Sequence, residues 1–244
     1  MSEWSGFSYI VTNLARFIRP DEVTFSGVNS TLPMLACLLA KKAYDHDFVY
    51  INVAGGVQPD IPAKLPISSS DPVLAEGSTA IFANEDFYDL CTRGRMDLCF
   101  LGAAQIDGQG RTNVSCIGDW HSPKVRLPGG GGGAVMLPTA RRAVTWRTEH
   151  SKRTLVEKLD FITAGGGMHG VVTPLAVFIQ RNGRLALQSW HPQSSLDEVV
   201  ERTGFAFNAD GAEPTLVPTA REREALQSLD ATGSFERDAA IRLR

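Results

Sequence analysis

Two short apolar segments that frame an apolar helix limit the fold of this chain more than any other feature. Residues 22–27 and 48–53 have the length and composition of buried strands. Residues 34–43 between them are apolar on nearly every side, as expected of a helix that is buried on most of its surface. A strand, a helix and a second strand in this order predict a βαβ unit, and therefore an α/β fold with parallel strands.

The turn after the second of these strands is a candidate ligand site. In parallel sheets ligands bind beyond the carboxyl ends of the strands, and residues 54–58, with Gly55 and Gly56, follow such an end directly. The same two glycines would also suit a plain tight turn, so their position alone leaves both interpretations open.

The remaining elements are predicted from periodicity and turn residues. Asn182 and Gly183 separate two apolar runs and predict an antiparallel hairpin. Further helices are predicted at residues 8–17, 82–93, 196–203 and 219–226, and further strands at 96–102, 135–138, 143–146 and 161–163. We expect one domain over residues 1–244, in which residues 208–244 are a peripheral extension that carries the charged helix at 219–226 and ends in a disordered tail.

Composition and charge exclude several classes of protein. Of the 244 residues, 43% are hydrophobic and 21% are charged, which is usual for a globular chain and argues against disorder or a repeat array. The formal net charge of -3 gives no basic surface for nucleic acid or for an anionic membrane. No segment approaches the ~20 apolar residues of a membrane span, and the N-terminus lacks the pattern of a signal peptide, so a cytoplasmic location is predicted.

Cysteine and histidine spacing gives no pattern for a metal site. The four cysteines show no CxxC spacing, and the five histidines are far apart with no HxxxH pair. We therefore expect four reduced, buried thiols and no bound metal.

Five consecutive glycines form the strongest candidate site. Residues 129–133 lie between Leu127-Pro128 and an apolar run, rather than among the serines of a flexible linker. Without a Cβ, such backbone can adopt positive φ angles and bring its N–H groups close to an oxyanion. A backbone donor site is the favoured interpretation, and a linker is the alternative.

Gln105 is a second candidate donor, because it follows the predicted strand at 96–102 and its amide could donate to a developing oxyanion. A structural amide that caps loop carbonyls is the alternative, and the spacing alone slightly favours it. Arg126, just before the glycines, could bind a carboxylate, a phosphate or a ketone, or could be a solvated surface residue. Glu85 and Asp86 are interpreted as a charge cap at a helix N-terminus rather than as acid–base residues.

Several of these segments, taken in order, resemble the β subunits of class I coenzyme A transferases. The segments are residues 94–110, the glycines at 129–133, residues 173–178 and residues 195–204, so the resemblance covers roughly residues 7–207. The glutaconate transferase-like branch is the most similar. Within it, the chain looks like the β subunits of actinobacterial acyl-CoA hydrolases that open the last ring of the steroid nucleus.

The resemblance implies a CoA-transferase-like fold, with an open mixed, mostly parallel sheet flanked by helices. It also implies an α2β2 assembly with a paralogous α subunit. Transferases of the family carry a nucleophilic Glu in a turn after a strand, and in this chain Ala54 or a neighbour stands there. A methyl group cannot form the glutamyl-CoA thioester through which these enzymes transfer coenzyme A.

The resemblance also implies roles for individual residues. Gln105 and Gly131 match motifs associated with the thioester oxyanion and are expected to stabilise an oxyanion or enolate. The residues expected to bind substrate or coenzyme A are Asn52, Ala54, Gly55, Arg126, Gly129, Gly130, Gly132 and Gly133. The general base is expected from the α subunit, and the coenzyme A thioester is expected as substrate, with no further cofactor.

The function implied is that of the β subunit of a heteromeric acyl-CoA hydrolase, which breaks a C–C bond of a cyclic β-ketoacyl-CoA in steroid degradation. One alternative is a coenzyme A transferase for a dicarboxylic or 3-oxo acid, with Glu76 or Glu85 as its nucleophile. The other is a non-catalytic subunit that only stabilises the α subunit.

Overall fold

The computed structural model describes residues 4–239. Its helices are α1 (Gly6–Arg16), α2 (Thr31–Ala43), α3 (Asn84–Thr92), α4 (Gly133–Thr139), α5 (Leu196–Arg202), α6 (Ala220–Leu229) and α7 (Ser234–Asp238). Its strands are β1 (Val23–Ser26), β2 (Val49–Asn52), β3 (Gly56–Val57), β4 (Ala80–Ile81), β5 (Leu98–Gly102), β6 (Gln105–Asp107), β7 (Thr112–Asn113), β8 (Cys116–Gly118), β9 (Pro123–Arg126), β10 (Arg142–Trp146), β11 (Leu155–Val156), β12 (Met168–Val172), β13 (Ala176–Arg181), β14 (Arg184–Trp190) and β15 (Glu213–Pro214). A short 3₁₀ helix spans Pro72–Ala75.

Ten of these strands form one open sheet in the order β15-β14-β13-β12-β10-β5-β1-β2-β3-β4. The central strands β12, β10, β5, β1 and β2 are parallel. Antiparallel pairs lie on both sides of them. These are β12–β13 and β13–β14 at one side, and β2–β3 and β3–β4 at the other. The expected open mixed, mostly parallel sheet is confirmed. Two small sheets, β11-β6-β7 and β8-β9, lie apart from it.

Alternate strand residues face two separate hydrophobic cores, which explains why helices cover both faces. On β5, Leu98 and Phe100 belong to one core, whereas Cys99 and Leu101 belong to the other. This is the period-two pattern of a strand that is buried on both faces. Residues of α1, α2, α6 and α7 fill the first core, and residues of α3, α4 and α5 fill the second.

Local sequence signals account for the ends of several elements. Ser5, Ser195 and Thr219 each accept a hydrogen bond from a backbone N–H in the first turn of α1, α5 and α6 respectively. Asn182 and Gly183 have φ angles of 50° and 79° in the turn between β13 and β14, as the predicted hairpin requires. All four cysteines are reduced and buried, as expected.

Two predicted strands are wrong. Residues 135–138 lie in helix α4, where the Thr139 hydroxyl donates to the Val135 carbonyl at 2.7 Å. A four-residue apolar run has no periodicity that separates helix from strand. Residues 161–163 form a loop against β7, in which the Thr163 N–H donates to the Thr112 carbonyl at 2.9 Å.

The predicted peripheral extension also needs correction. Helix α6 packs on α2 and buries Ala225, Leu226 and Leu229, and Phe235 of α7 is buried in the same core. These apolar residues recur at helical spacing within a charged sequence, in which Arg221, Arg223 and Glu224 are exposed. The expected disorder of the last residues concerns positions 240–244, which lie outside the described residues.

Candidate active site

A large cleft opens at the carboxyl ends of the parallel strands. Its volume is about 1090 Å³, and its walls include Gly27 after β1, Val53 after β2, Ala103 after β5 and Arg147 after β10. Loops that follow neighbouring parallel strands meet at one edge of the sheet, which is why these four positions converge. The lining also contains the apolar side chains Phe25, Leu32, Phe82, Phe87, Phe100, Leu101, Met136 and Trp146.

The five glycines form one wall of this cleft, and all of them line it. Gly129 and Gly131 have positive φ angles of 92° and 46°. The loop is tied at its ends, because the Gly129 N–H donates to the Val114 carbonyl and the Gly133 N–H donates to the Gly130 carbonyl, both at 2.8 Å. Within residues 4–239 the N–H groups at positions 130, 131 and 132 have no backbone acceptor. Such a loop can present backbone donors to a ligand oxygen.

Close packing explains why two of these positions exclude a larger residue. A Cβ at Gly130 would lie 2.7 Å from Ala134 Cβ, and a Cβ at Gly132 would lie 2.9 Å from the hydroxyl oxygen of Tyr88. At Gly131 a Cβ would meet no atom within 4 Å, so only the backbone angle favours glycine there.

In the turn after β2, Val53 lines the cleft, whereas Asn52, Ala54 and Gly55 do not. The Asn52 amide is buried, donates to the Leu74 carbonyl at 2.7 Å and accepts from the Gly56 N–H at 3.2 Å. Ala54 packs against the first core. The residue that faces the ligand space at this strand end is therefore Val53, whose side chain has no nucleophilic atom.

Gln105 lies outside the cleft wall, and its amide is already bonded. Its Nε2 donates to an Asp160 carboxylate oxygen at 3.0 Å, and its Oε1 accepts from Asn113 Nδ2 at 2.7 Å and from the Asp160 N–H at 3.2 Å. These bonds hold β6 and β7 to the loop at Asp160. Of the two interpretations that the sequence left open, the structure supports the bracing amide, and the oxyanion role of Gln105 is not supported by its position.

Arg126 also does not line the cleft. Its guanidinium lies 4.6 Å from the centre of the Trp120 ring and donates to the Trp120 carbonyl at 3.0 Å. Trp120 in turn stacks on Phe161 at 4.4 Å between ring centres. The predicted contact of Arg126 with substrate or coenzyme A is therefore not supported, and the side chain holds the β8–β9 hairpin instead.

Charged groups are scarce in the cleft. Among the described lining residues, the acidic and basic side chains are those of Arg147 and the exposed Asp238 of α7. Neither Glu76 nor Glu85, the two glutamates considered as replacement nucleophiles, lines it. Asp86 accepts a hydrogen bond from the Ala83 N–H at 3.1 Å, so its role at the start of α3 is the predicted cap.

Three parts of the cleft wall were not predicted from the sequence. Arg147 could have been found, because it follows the predicted strand at 143–146 and strand ends carry ligands. Asn84 and Tyr88 of α3 line the cleft one helical turn apart, and only the packing of α3 on α4 reveals this. Phe235 and Asp238 of α7 were assigned to a peripheral extension.

Within positions 4–239, no group of three or more His, Cys, Asp or Glu side chains is arranged to hold a metal ion. None of the helices in this part of the chain combines the length and the apolar character needed to cross a membrane.

The fold and the cleft define an open-sheet α/β protein whose cleft lies beyond the carboxyl ends of the parallel strands, where proteins of this class bind ligands. Residues 8–202 match the coenzyme A transferase family. This chain therefore belongs to the coenzyme A transferase family, and the resemblance seen in the sequence is confirmed.

Three similar proteins carry different activities in their names. One subunit of the 3-oxoadipate CoA-transferase of Pseudomonas knackmussii is 34% identical, and the alignment covers 95% of each chain. The crystal structure of the decarboxylase AibA/AibB superposes with a TM-score of 0.90 at 32% identity, over 96% of this chain and 98% of the other. The IpdB subunit of the cholesterol ring-cleaving hydrolase of Rhodococcus jostii is 25% identical, with 87% of each chain covered.

Proposed function

We propose that this chain is the β subunit of a two-subunit acyl-CoA hydrolase that opens the last ring of the steroid nucleus in a cyclic β-ketoacyl-CoA. A paralogous α subunit supplies the general base, and this chain supplies the apolar cleft and the backbone donors. The names of the relatives support a two-subunit assembly, because each is a subunit or a two-component enzyme.

The observation that carries the proposal is Val53 at the carboxyl end of β2. Covalent transfer of coenzyme A needs a carboxylate that attacks the thioester and then bears the coenzyme. Val53 cannot do this, and Asp238 is the single carboxylate among the described lining residues. A reaction in which water attacks and no group of this chain is acylated fits such a cleft better than ping-pong transfer.

The remaining features of the cleft fit that reaction. Water, deprotonated by the α subunit's base, adds to the ring ketone, and the bond between that carbon and the α carbon of the thioester breaks. The electron pair moves onto the thioester oxygen as an enolate, and the α carbon later takes back a proton. The N–H groups of the glycine loop are the donors for that oxygen, and one such donor is worth about 3–4 kcal/mol in other enzymes.

The size of the cleft supports a bulky acyl group. Its volume of about 1090 Å³ is slightly larger than that of ordinary ligand pockets, which measure roughly 300–1,000 Å³. Aromatic side chains such as Phe25, Phe100 and Trp146 line it, and apolar walls suit a fused hydrocarbon ring system.

A decarboxylase is the second candidate, and the superposition on AibA/AibB favours it. Loss of CO2 from an acyl-CoA would also leave an electron pair for the same backbone donors to stabilise. The two reactions differ in the fate of water, because hydrolysis places a water oxygen in the product and decarboxylation does not.

The test uses the complex of this chain with its α partner and a bicyclic steroid-derived acyl-CoA in H2(18)O. Label in a new carboxylate, without any acyl acceptor, is the expected result. Release of CO2 without label would establish the decarboxylase, and turnover that depends on an acceptor carboxylate would establish the transferase. Either of these outcomes overturns the hydrolase.

A pair of glycine variants tests whether this chain takes part in catalysis at all. Gly131 and Gly183 both have positive φ and open space where a Cβ would stand, but only Gly131 lines the cleft. Gly131→Ala is expected to lower kcat at least about tenfold, since it moves a backbone donor. Gly183→Ala is expected to leave kcat unchanged. Equal activity of both variants would instead indicate a subunit that only stabilises its partner.

A further inference from the structure

Helix α3 presents two polar side chains to the cleft. Asn84 and Tyr88 lie four residues apart on one face and both line the cleft, whereas Phe87 and Cys91 on the adjoining face are buried in the core. The Tyr88 ring packs edge-on against Phe87, with 5.5 Å between ring centres. This contact positions the phenol while 38% of the residue stays exposed.

The Tyr88 hydroxyl lies against the glycine loop. A Cβ at position 132 would come within 2.9 Å of that oxygen and also within 2.9 Å of Met136 Cε, so Gly132 leaves the space that Tyr88 occupies. Throughout residues 4–239, no protein group forms a hydrogen bond with the Tyr88 hydroxyl. A phenol is thus held next to backbone N–H groups that also have no backbone acceptor, at the edge of an open cleft.

We infer that Tyr88 is a catalytic residue whose hydroxyl donates a hydrogen bond to the thioester oxygen of the bound acyl-CoA, alongside the N–H groups of the glycine loop. This inference rests on the proposed acyl-CoA function. Tyr88 transfers no proton: it keeps its O–H bond, and its contribution grows as the C–C electron pair moves onto the oxygen. A phenol suits this role because it is one donor on a rigid ring with few rotatable bonds.

The proposed hydrogen bond should affect the rate of catalysis more than the binding of substrate. The hydrogen bond strengthens as negative charge develops, so it stabilises the enolate more than the ground-state thioester. Replacement by phenylalanine should therefore lower kcat and leave KM nearly unchanged. The ring contact with Phe87 and the packing next to Met136 need no hydroxyl, so the fold should be kept.

The experiment measures Tyr88→Phe in the purified complex with the α partner by two assays. The first is C–C bond cleavage, and the second is exchange in D2O of the hydrogens α to the thioester of a saturated acyl-CoA, which needs the enolate but no ring opening. We expect both rates to fall about 100-fold, with KM and the melting temperature unchanged. Asp89→Asn, on the same helix and in an exposed pair with Arg93, is the matched control and should retain both rates.

Unchanged exchange in Tyr88→Phe overturns the inference, and so does a wild-type complex without exchange, because that site would stabilise no enolate. A change confined to KM would show that Tyr88 only contacts the ligand, which also overturns it. If the wild-type complex opens no ring but its exchange falls in the variant, the hydrolase proposal fails while the role of Tyr88 stands.

Discussion

His150 Nδ1 lies 2.8 Å from the hydroxyl oxygen of Thr173. The carbonyl of the same threonine lies 2.9 Å from His191 Nε2. Thr173, which directly follows β12, therefore joins two buried imidazoles. The other ring nitrogens contact hydroxyl groups of Thr203 and Thr215, which connects the end of the sheet to α5 and β15. Both rings are therefore fully partnered in their neutral form.

This network predicts a loss of stability in mild acid. Burial lowers the pKa of His150 from 6.5 to about 3 and that of His191 to about 4. The unfolded chain takes up these protons first, so the stability from neutral burial is complete above about pH 6.5 and is lost as the pH falls toward 4. Each histidine should contribute about 1.4 kcal/mol per pH unit to the slope of the unfolding free energy.

Urea denaturation at several pH values between 6.5 and 4.5 measures that slope. The slope in His150→Gln should be smaller than in the wild type by about 1.4 kcal/mol per pH unit. The control is His121→Gln, which changes an exposed turn residue and should keep the wild-type slope. An equal slope in His150→Gln and the wild type would contradict the assignment.

Glu222 of α6 ties the C-terminal helices to the first two. Its side chain is 3% exposed and accepts hydrogen bonds from Arg16 Nε at 2.9 Å and from the Tyr44 hydroxyl at 2.8 Å. Glu222→Ala should lower the unfolding free energy by about 2–4 kcal/mol, because it leaves a half-buried guanidinium without its counter-ion. Glu224→Ala on the exposed side of the same helix should change it by less than about 0.5 kcal/mol in the same denaturant titration.

Val53→Glu tests whether the lack of a nucleophilic carboxylate at this position is all that prevents this chain from forming a covalent adduct with coenzyme A. The new carboxylate would extend from the carboxyl end of β2 into the cleft. In complex with the α partner and an acyl-CoA, this variant should gain the mass of coenzyme A less one water on intact-protein mass spectrometry, with an adduct that hydroxylamine removes. Val53→Gln has similar volume and no nucleophile, and should gain no mass. A Val53→Glu chain that folds but stays unmodified would show that adduct formation needs further groups that this chain lacks.

Phe235 of α7 should contribute to both stability and substrate binding. It is 4% exposed in the core beside α2, and it also lines the cleft. Phe235→Ala should cost about 3 kcal/mol of stability and raise KM for a bulky acyl-CoA, since a wall of the cleft moves. Phe235→Leu, which keeps much of the volume, should show smaller changes in both. A KM unaffected by Phe235→Ala at temperatures where it is folded would contradict the second expectation.

Local sequence signals were sufficient for much of the fold. The βαβ unit over β1, α2 and β2 and the hairpin at Asn182-Gly183 depend on neighbouring residues, so they could be predicted. Residues 135–138 could not, because an apolar run this short becomes helix or strand according to what packs on it. For α6, the buried residues are few among many charged ones, and their partner α2 lies far away in the chain.

The residues of the site also divide into those that have a local sequence signal and those whose contacts are remote in the chain. The glycine loop was recognised because a run of glycines is itself a local signal, and the structure places all five in the cleft wall. The hydrogen-bond partners of Gln105 could not be predicted because they are remote: Asp160 lies 55 positions away, and no spacing rule relates the two. Tyr88 was missed for the same reason, since its relation to Gly132 depends on how α3 and α4 pack.

The position of α7 has a consequence for how selectivity could diverge among relatives. The family match ends at residue 202, yet Phe235 and Asp238 form part of the cleft. Part of the cleft wall is thus encoded after the stretch that holds the glycine loop. Grafting the stretch after position 202 from a relative is expected to change the shape of the cleft while the glycine loop is kept, and drift in that stretch would alter the cleft without touching the glycines.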